Sequence, residues 1–408
     1  MHRTFDATRD REATRRIWRE IGWLDPGVEN DEVVDGWVDA GRALVADING
    51  EAECLVCTAP GTLAHQSELL PGSMVTGVTT SLVARKQGLA LKLTAAAVVQ
   101  DVQEGAIVAA LGMFDQGFYN RVGFGSGGYE HTVTFDPAQL SVKTCHRPPL
   151  RFTLADYEAI HAARLARPAI HGSCRVLPLI ATQGPMKETK GFGLGYRDSD
   201  TGEITHHFWC KPKGERGPYR VVWIVYHNRD QFLELMSVIK SIGDQVRAFS
   251  IVEPAGIQLQ DLMLQPFKQG QISGGSSYAA GIKSCASFQY RICDLAACME
   301  KTSLGGQDVR FNLNLSDPIE GLLPPDSAWR GCGGNYIVTL GERCSAARGV
   351  DSRLATLQAS VGAFTRLWLG VLPASGLALT DELDGPAELI QQLDRTIRLP
   401  VPLNDWYF

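Results

Sequence analysis

A short basic segment that contains glycine, Arg85-Lys86-Gln87-Gly88-Leu89-Ala90, has the composition of an anion-binding turn. Gly88 and Ala90 keep side-chain bulk away from the start of a helix, where backbone N–H groups are unpaired and the positive end of the helix dipole lies. Arg85 and Lys86 add two full positive charges. A pyrophosphate can bind to such a helix start. The segment alone is a weak signal, because this combination arises often by chance.

A second segment, Tyr119-Asn120-Arg121-Val122-Gly123-Phe124-Gly125, combines a phenol with a glycine-rich turn. A tyrosine with an unperturbed pKa of about 10 stays protonated at neutral pH and can donate its proton to a leaving group. The pattern also permits a core tyrosine that is hydrogen-bonded to a backbone carbonyl. Tyr119 is therefore a candidate general acid.

The elements around these segments should position both at one cleft. The stretch Met74 to Thr80 is rich in β-branched residues and predicts a buried strand. Leu89, Leu93 and Ala97 recur at helical spacing and predict a helix over residues 90–104, followed by a strand over 106–111. The order strand, turn, helix, strand brings the basic turn and the phenol to the same region.

Together, these segments resemble the GNAT superfamily of N-acyltransferases, and the Tyr-x-x-x-Gly-Phe-Gly pattern resembles the Eis (enhanced intracellular survival) acetyltransferases. The resemblance extends along the chain, since residues 288–294 are similar to the start of the third domain of that family and residues 367–370 to a late helix. It implies acetyl-CoA as cosubstrate and direct acetyl transfer to a primary amine of a cationic small molecule, such as an aminoglycoside or a lysine-like amine.

The resemblance also implies roles for individual residues. Tyr119 is the expected general acid, and the terminal carboxylate of Phe408 is the expected base. The tail is rich in proline and aromatic residues, and we expect it to be buried. Phe114 is an expected substrate-binding residue. Trp37 is a second one by its position, one helix before the central strands, and this position equally fits an ordinary core residue. The expected cofactor-binding residues are Val78, Thr79, Thr80, Arg85, Lys86, Gln87, Gly88, Leu89 and Ala90.

The sequence departs from the Eis pattern in three places. Gln87 stands third where the family has a run of three basic residues, which should weaken phosphate attraction. Phe114 stands where a small serine is common, and Tyr407 stands where an acidic residue would help to hold a polycation. The resemblance to the Eis family therefore supports acetyl transfer more strongly than it supports specificity for aminoglycosides.

The length of 408 residues exceeds what one hydrophobic core normally supports. The predicted fold class is α/β and α+β, with two tandem GNAT-like α/β domains over residues 1–148 and 149–285 and a sterol-carrier-protein-like α+β domain over 286–408. The second GNAT-like domain lacks the Arg-x-x-Gly-x-Ala pattern and should bind no CoA. We expect residues 131–135 to be the closing strand of the first domain.

The bulk composition, 44% hydrophobic and 21% charged, is that of an ordinary globular protein. The net charge of −6 argues mildly against nucleic acid as a partner. We expect no signal peptide, no membrane anchor, cytoplasmic localisation and reduced cysteines. We expect no metal site, because Cys54 and Cys57 should point to opposite faces of a strand. The resemblance implies a homo-oligomer, namely a hexamer.

Two alternatives stay open at this point. The first is an acyltransferase that uses a longer acyl-CoA, since a twin-GNAT scaffold with a C-terminal carboxylate also resembles N-myristoyltransferases. The second is a non-enzymatic carrier of an apolar ligand. The intact turn from Arg85 to Ala90 and Tyr119 argue against the carrier.

Overall fold

The structure is a computed structural model that describes residues 2–24, 28–265 and 279–408. The chain forms two compact units. The first unit contains Met1–Gly128, Ala169–Pro178 and Ala286–Phe408, and the second contains Tyr129–Pro168 and Leu179–Cys285. The division into three domains stays a prediction. No helix of the described ranges is long and apolar enough to cross a membrane.

The described residues contain helices and strands throughout the chain. The strands are β1 His2–Thr4, β2 Arg42–Ile48, β3 Glu51–His65, β4 Glu68–Thr80, β5 Val108–Gly112, β6 Gly125–Ser126, β7 Glu130–Phe135, β8 Leu150–Phe152, β9 Cys174–Val176, β10 Phe192–Arg197, β11 Ile204–Lys211, β12 Tyr219–Val225, β13 Phe249–Val252, β14 Gly281–Cys285, β15 Phe288–Ile292, β16 Val309–Ser316, β17 Gly334–Leu340, β18 Ser345–Arg348, β19 Thr356–Ser360 and β20 Leu383–Asp384. The helices are α1 Ala7–Glu20, α2 Val28–Asp39, α3 Leu89–Gln103, α4 Tyr157–Ala166, α5 Ile180–Thr189, α6 Arg229–Ser241, α7 Leu295–Glu300, α8 Val361–Trp368, α9 Ala374–Thr380 and α10 Ala387–Thr396.

The first unit is built around an eight-stranded sheet with the order β1-β2-β3-β4-β5-β15-β6, and β9 pairs with β3. All neighbours are antiparallel except β4 and β5, which are parallel and are connected by α3. The helix α3 lies on this sheet, and its alanine-rich face is buried. The predicted order of strand, turn, helix and strand between residues 74 and 111 is confirmed. The strand β4 begins at Glu68, earlier than the predicted Met74, and the helix α3 lies one residue earlier than predicted.

The predicted closing strand of the first domain is wrong. Residues 131–135 lie in β7, which pairs with β13 and β14 in the second unit. The position between β5 and β6 is instead taken by β15, and all five residues of β15 are buried. Alternation of apolar residues identifies a strand, but it does not identify the partner, because strand pairing is set by contacts far apart in sequence.

The second unit contains a seven-stranded sheet with the order β14-β7-β13-β12-β11-β10-β8. Its one parallel pair is β12 with β13, and α6 connects these two strands. The apolar face of α6 packs into a buried cluster with strands of this sheet. The strands β10 and β11 pair antiparallel as a hairpin.

The first unit also contains a five-stranded sheet with the order β18-β17-β16-β19-β20. The strands β16 and β17 pair antiparallel, from Val309 with Leu340 to Leu315 with Gly334. A mixed α/β architecture is therefore present. Likeness of this region to sterol carrier proteins stays a prediction.

Candidate active site

A cavity of about 840 Å³ lies in the first unit, next to the start of α3. The pairing of β4 with β5 ends at Val75 and Leu111, although β4 continues to Thr80. The last residues of β4 and the residues that follow β5 line the cavity. The lining residues are Glu20, Ile21, Trp23, Val78, Thr79, Thr80, Leu82, Ala84, Arg85, Lys86, Gly88, Leu89, Ala90, Leu91, Phe114, Asp115, Gln116, Gly117, Phe118, Tyr119 and Arg121.

The helix α3 begins at this cavity without a side-chain cap. Gly88, the residue before the helix, has left-handed backbone with φ of 74°, and no atom lies within 4 Å of the position that a Cβ would take. Lys86 also has a positive φ of 63°, which is uncommon for a residue with a side chain. The first turn contains no acidic residue. The first amides of α3 are therefore open to an anion, with Arg85 and Lys86 beside them.

The free edge of β4 forms another part of the cavity wall. Val78, Thr79 and Thr80 all line it. The Thr79 hydroxyl is buried and has no hydrogen-bond partner within the described part of the chain. A buried hydroxyl without a partner is unfavourable, so a bound ligand with a polar group would compensate for it. This edge fits an extended chain that carries amide and thioester groups.

Tyr119 opens a short 3-10 helix, Tyr119–Val122, and lines the cavity although only 4% of it is exposed. Burial, together with the nearby negative charge of Asp115, raises the pKa of Tyr119 to about 12. The phenol is therefore protonated over the whole physiological pH range. This is the state that a general acid needs.

A buried ion pair supports the turn that carries Tyr119. Arg291 on β15 donates a hydrogen bond to the Val122 carbonyl and also contacts Asp317, with an Nη1–Oδ1 distance of 3.0 Å. Both charged side chains are fully buried. Gly123 ends the turn with φ of 86°, and a Cβ there would collide with the Arg291 guanidinium. Arg291 therefore positions the turn, a role that sequence reasoning did not assign.

The chain terminus lies beside the end of β5. The Phe408 carbonyl oxygen is 3.3 Å from the position of a Cβ on Gly112, and the Phe408 ring packs 5.5 Å from the Phe288 ring. Trp406 in the same tail is fully buried. Pro402 and Asn404 are also buried, whereas Val401 is 59% exposed, so the tail is buried in part. Phe408 is not among the residues that line the cavity.

The remaining predicted site residues fall into two groups. Phe114 lines the cavity and is 78% exposed. Trp37 is 8% exposed on α2 and is not among the lining residues. Gln87 is also not among them, and its side chain donates to the Val83 carbonyl at 3.3 Å. The structure therefore brings Phe114 to the basic turn and does not bring Trp37 or Gln87 to the cavity.

Several lining residues were missed by sequence reasoning, namely Glu20, Trp23, Leu82, Asp115 and Arg121. They lie at helix ends and in loops, where no periodicity shows which direction a side chain takes. Asp115 offered one signal, since it is a charged residue four positions before Tyr119. Among the described residues, no group of His, Cys, Asp and Glu side chains is arranged to hold a metal ion.

No family model matches the chain, and no curated protein matches it significantly. Solved structures are similar over its whole length. A probable N-acyltransferase of unknown function from Enterococcus faecalis V583 is 19% identical, with 100% of this chain and 99% of that chain covered and a TM-score of 0.78. A GCN5-related N-acetyltransferase from Kribbella flavida is 17% identical, with 100% and 98% covered and a TM-score of 0.75.

Eis1 from Mycobacterium abscessus is also similar, at 15% identity, with both chains covered to 100% and a TM-score of 0.75. Identities this low establish a shared fold. The predicted resemblance is confirmed at that level: the chain has the fold of the GNAT N-acetyltransferases.

Proposed function

We propose that this protein is an acetyl-CoA-dependent N-acetyltransferase that acts on a primary amine of a cationic small molecule. The observation that carries this proposal is the shared cavity: the uncapped, basic start of α3 and the protonated Tyr119 both line the space beyond the point where β4 and β5 stop pairing. An anion site and an acid in one cavity are what transfer from a CoA thioester requires. The shared GNAT fold supports the same function.

The chain offers suitable groups for each part of acetyl-CoA. Arg85, Lys86 and the first amides of α3 would hold the pyrophosphate. Gly88 leaves room for the phosphates to approach the backbone. Thr79 and its neighbours on the free edge of β4 would hold the pantetheine arm. We retain Gln87 as a weaker candidate, since it lies in the same turn but outside the cavity lining.

The proposed reaction is direct transfer. The neutral amine nitrogen forms a C–N bond with the acetyl carbonyl carbon while a backbone N–H of Val78 or Thr79 hydrogen-bonds the carbonyl oxygen. The C–S bond breaks, its electron pair goes to sulfur, and Tyr119 donates its phenolic proton there to give the free thiol. The proton lost by nitrogen goes to the Phe408 carboxylate, directly or through water, and then restores the phenol through solvent.

The test is release of free thiol from acetyl-CoA when small amines are added. We expect thiol release that depends on both acetyl-CoA and an amine, and acetyl-CoA binding in calorimetry without any amine. A protein that binds no acetyl-CoA, or binds it without acetylating any amine, would contradict the proposal.

The proposed base has its own test, a one-residue extension after Phe408. One residue adds up to about 3.6 Å of chain, and misplacing a reacting group by about 1 Å can lower the rate on the order of 10²-fold. Extension should therefore cripple acetylation and leave acetyl-CoA affinity nearly intact. Full activity of the extended chain would show that the tail is only a packed structural end.

The finer organisation is also a proposal. We propose that residues 149–285 form a second GNAT-like domain without a cofactor site, which is supported by the order β12, α6, β13 that parallels β4, α3, β5. By resemblance, residues 286–408 would form a sterol-carrier-protein-like domain and the protein would be a homo-oligomer. Light scattering that gives the mass of six chains would support the hexamer, and the mass of a single chain would exclude it.

A further inference from the structure

Three large apolar side chains are exposed on the wall of the cavity. Trp23 is 47% exposed, Leu82 is 63% exposed and Phe114 is 78% exposed. They come from three separate segments: the loop after α1, the turn after β4 and the turn after β5. Exposed apolar groups gathered in one groove are unusual unless a ligand covers them. The wall is therefore suited to an apolar group.

The charges on the same wall do not suit a polycation. Three lining residues are cationic, Arg85, Lys86 and Arg121, whereas two, Glu20 and Asp115, are anionic. Glu20 is already paired with Arg16 at 2.9 Å. With a pyrophosphate on Arg85 and Lys86, the charged side chains left in this lining are Arg121, Asp115 and the paired Glu20. A molecule with several ammonium groups would therefore find a single unpaired carboxylate in this lining.

Asp115 is the carboxylate that is left for a ligand. Among the described residues its side chain has no hydrogen-bond or ion-pair partner. It lines the same cavity as Tyr119, and its negative charge disfavours the Tyr119 phenolate. An ammonium group drawn to Asp115 would arrive next to the proposed acid. A single unpaired carboxylate can form an ion pair with one ammonium group of a ligand.

We propose that the acceptor is an arylalkyl monoamine, whose flat apolar body covers Phe114, Trp23 and Leu82 while its single amino group is attracted by Asp115. This proposal rests on the proposed acetyl transfer and narrows its acceptor. An aminoglycoside fits less well, because its hydroxyl groups would lose water against apolar side chains without gaining partners.

The experiment compares kcat/KM for three amines with acetyl-CoA: 2-phenylethylamine as the arylalkyl monoamine, kanamycin as the hydroxylated polyamine, and ethanolamine as a small reference. We expect at least about a tenfold preference for 2-phenylethylamine over kanamycin, since burying an aromatic group stabilises binding by this factor or more.

Phe114→Ser tests the apolar wall. It should lower kcat/KM for 2-phenylethylamine about tenfold more than kcat/KM for ethanolamine, and equal losses for the two amines would contradict the apolar contact. Val83→Ser is the matched control, because Val83 is 70% exposed next to Leu82 but does not line the cavity. It should change none of these values.

Asp115→Asn tests the ammonium contact. It should raise KM for 2-phenylethylamine several-fold, with Asp326→Asn, an exposed residue outside the cavity, as the control without effect. An unchanged KM would remove Asp115 from the proposal and overturn it.

Other outcomes separate this inference from the proposed function. Preferred acetylation of kanamycin would overturn the arylalkyl class and leave acetyl transfer standing. Faster transfer from octanoyl-CoA than from acetyl-CoA, lost in Phe114→Ser, would mean that the apolar wall holds an acyl chain, and would overturn it too. Acetyl-CoA binding without acetylation of any amine would overturn both proposals.

Discussion

The helices α3 and α6 each connect the two strands of a parallel pair. Their N-terminal ends differ, however, in how well they could bind an anion. Gly88 precedes α3 and gives no side-chain cap. Asn228 precedes α6, and its side-chain oxygen accepts a hydrogen bond from the backbone N–H of Gln231 at 3.0 Å. Asp230 adds a negative charge in the first turn of α6. The first backbone N–H groups of α3 are therefore open to an anion. At the start of α6, one such group is bonded to Asn228 and the Asp230 charge disfavours an anion.

Two buried tyrosines show a similar contrast. Burial raises the pKa of Tyr119 and the pKa of Tyr196 to about 12 each. The Tyr196 hydroxyl donates a hydrogen bond to the Arg147 backbone carbonyl at 2.7 Å, which is a structural role. Tyr119 instead lines a cavity. A raised pKa therefore does not identify an acid unless the hydroxyl faces a space that a substrate can enter.

Gly88→Glu tests the difference between the two helix starts and should have the largest effect. A carboxylate at the start of α3 would repel the phosphates, and a side chain is strained at φ of 74°. We expect acetyl-CoA affinity in calorimetry to fall by on the order of 10²-fold or more. Arg229→Glu puts a carboxylate on the first turn of α6 and should leave that affinity unchanged. Equal effects of the two variants would refute the assignment of the anion site to α3.

The tyrosine comparison predicts the next largest effect. Tyr119→Phe should lower kcat about 10²-fold or more, the usual scale for general acid catalysis, and keep acetyl-CoA affinity and folding intact. Tyr196→Phe should leave kcat unchanged and lower the free energy of unfolding by about 1 kcal/mol, because the Arg147 carbonyl loses its donor. Wild-type turnover in Tyr119→Phe would make Tyr119 a core residue.

The capping difference predicts a smaller effect on stability. Asn228→Ala should lower the free energy of unfolding by about 1 kcal/mol, because the Gln231 amide loses its acceptor. Asn228→Asp retains an acceptor and should be close to wild type. Denaturant unfolding measures both, and acetyl-CoA affinity should be the same in all three proteins. An unchanged unfolding midpoint in Asn228→Ala would show that the cap adds nothing to α6.

The smallest effect concerns ionisation of Tyr119. The acid form is present below its pKa of about 12 and is lost as the pH rises through that value. Burial is the main cause of the raised pKa, and Asp115 adds to it by disfavouring the phenolate. Asp115→Asn should therefore move this ionisation to lower pH, by less than about one pH unit. Ultraviolet titration, with Tyr119→Phe subtracted as the blank, measures the shift, and a move to higher pH would contradict it.

The sequence was sufficient for local features whose causes lie within a few residues. The helix α3 was predicted to within one residue and the strands around it were predicted in the right order, because helical spacing and β-branched runs are read directly from neighbouring positions. The expectation that the second GNAT-like domain binds no CoA stays a prediction. Fold-level resemblance followed from two short motifs.

The pairing of strands that are far apart in the chain could not be predicted from the sequence. The alternation in residues 131–135 identifies a strand, but its partners β13 and β14 follow more than one hundred positions later. The strand β15 occupies the place that we assigned to this segment, and it carries Arg291, which positions the Tyr119 turn. Trp37 shows the same limit, since nothing local decides whether an apolar side chain meets a cavity or the core.

Residue type and close spacing are enough to specify the basic turn, the helix start without a cap and the phenol. Tertiary structure decided that the turn and the phenol share one cavity, that Phe408 lies beside Gly112, and that the cavity wall exposes Phe114 and one free carboxylate. The physical reason is that cavity shape and charge balance arise from the packing of segments far apart in the chain, which no local pattern encodes.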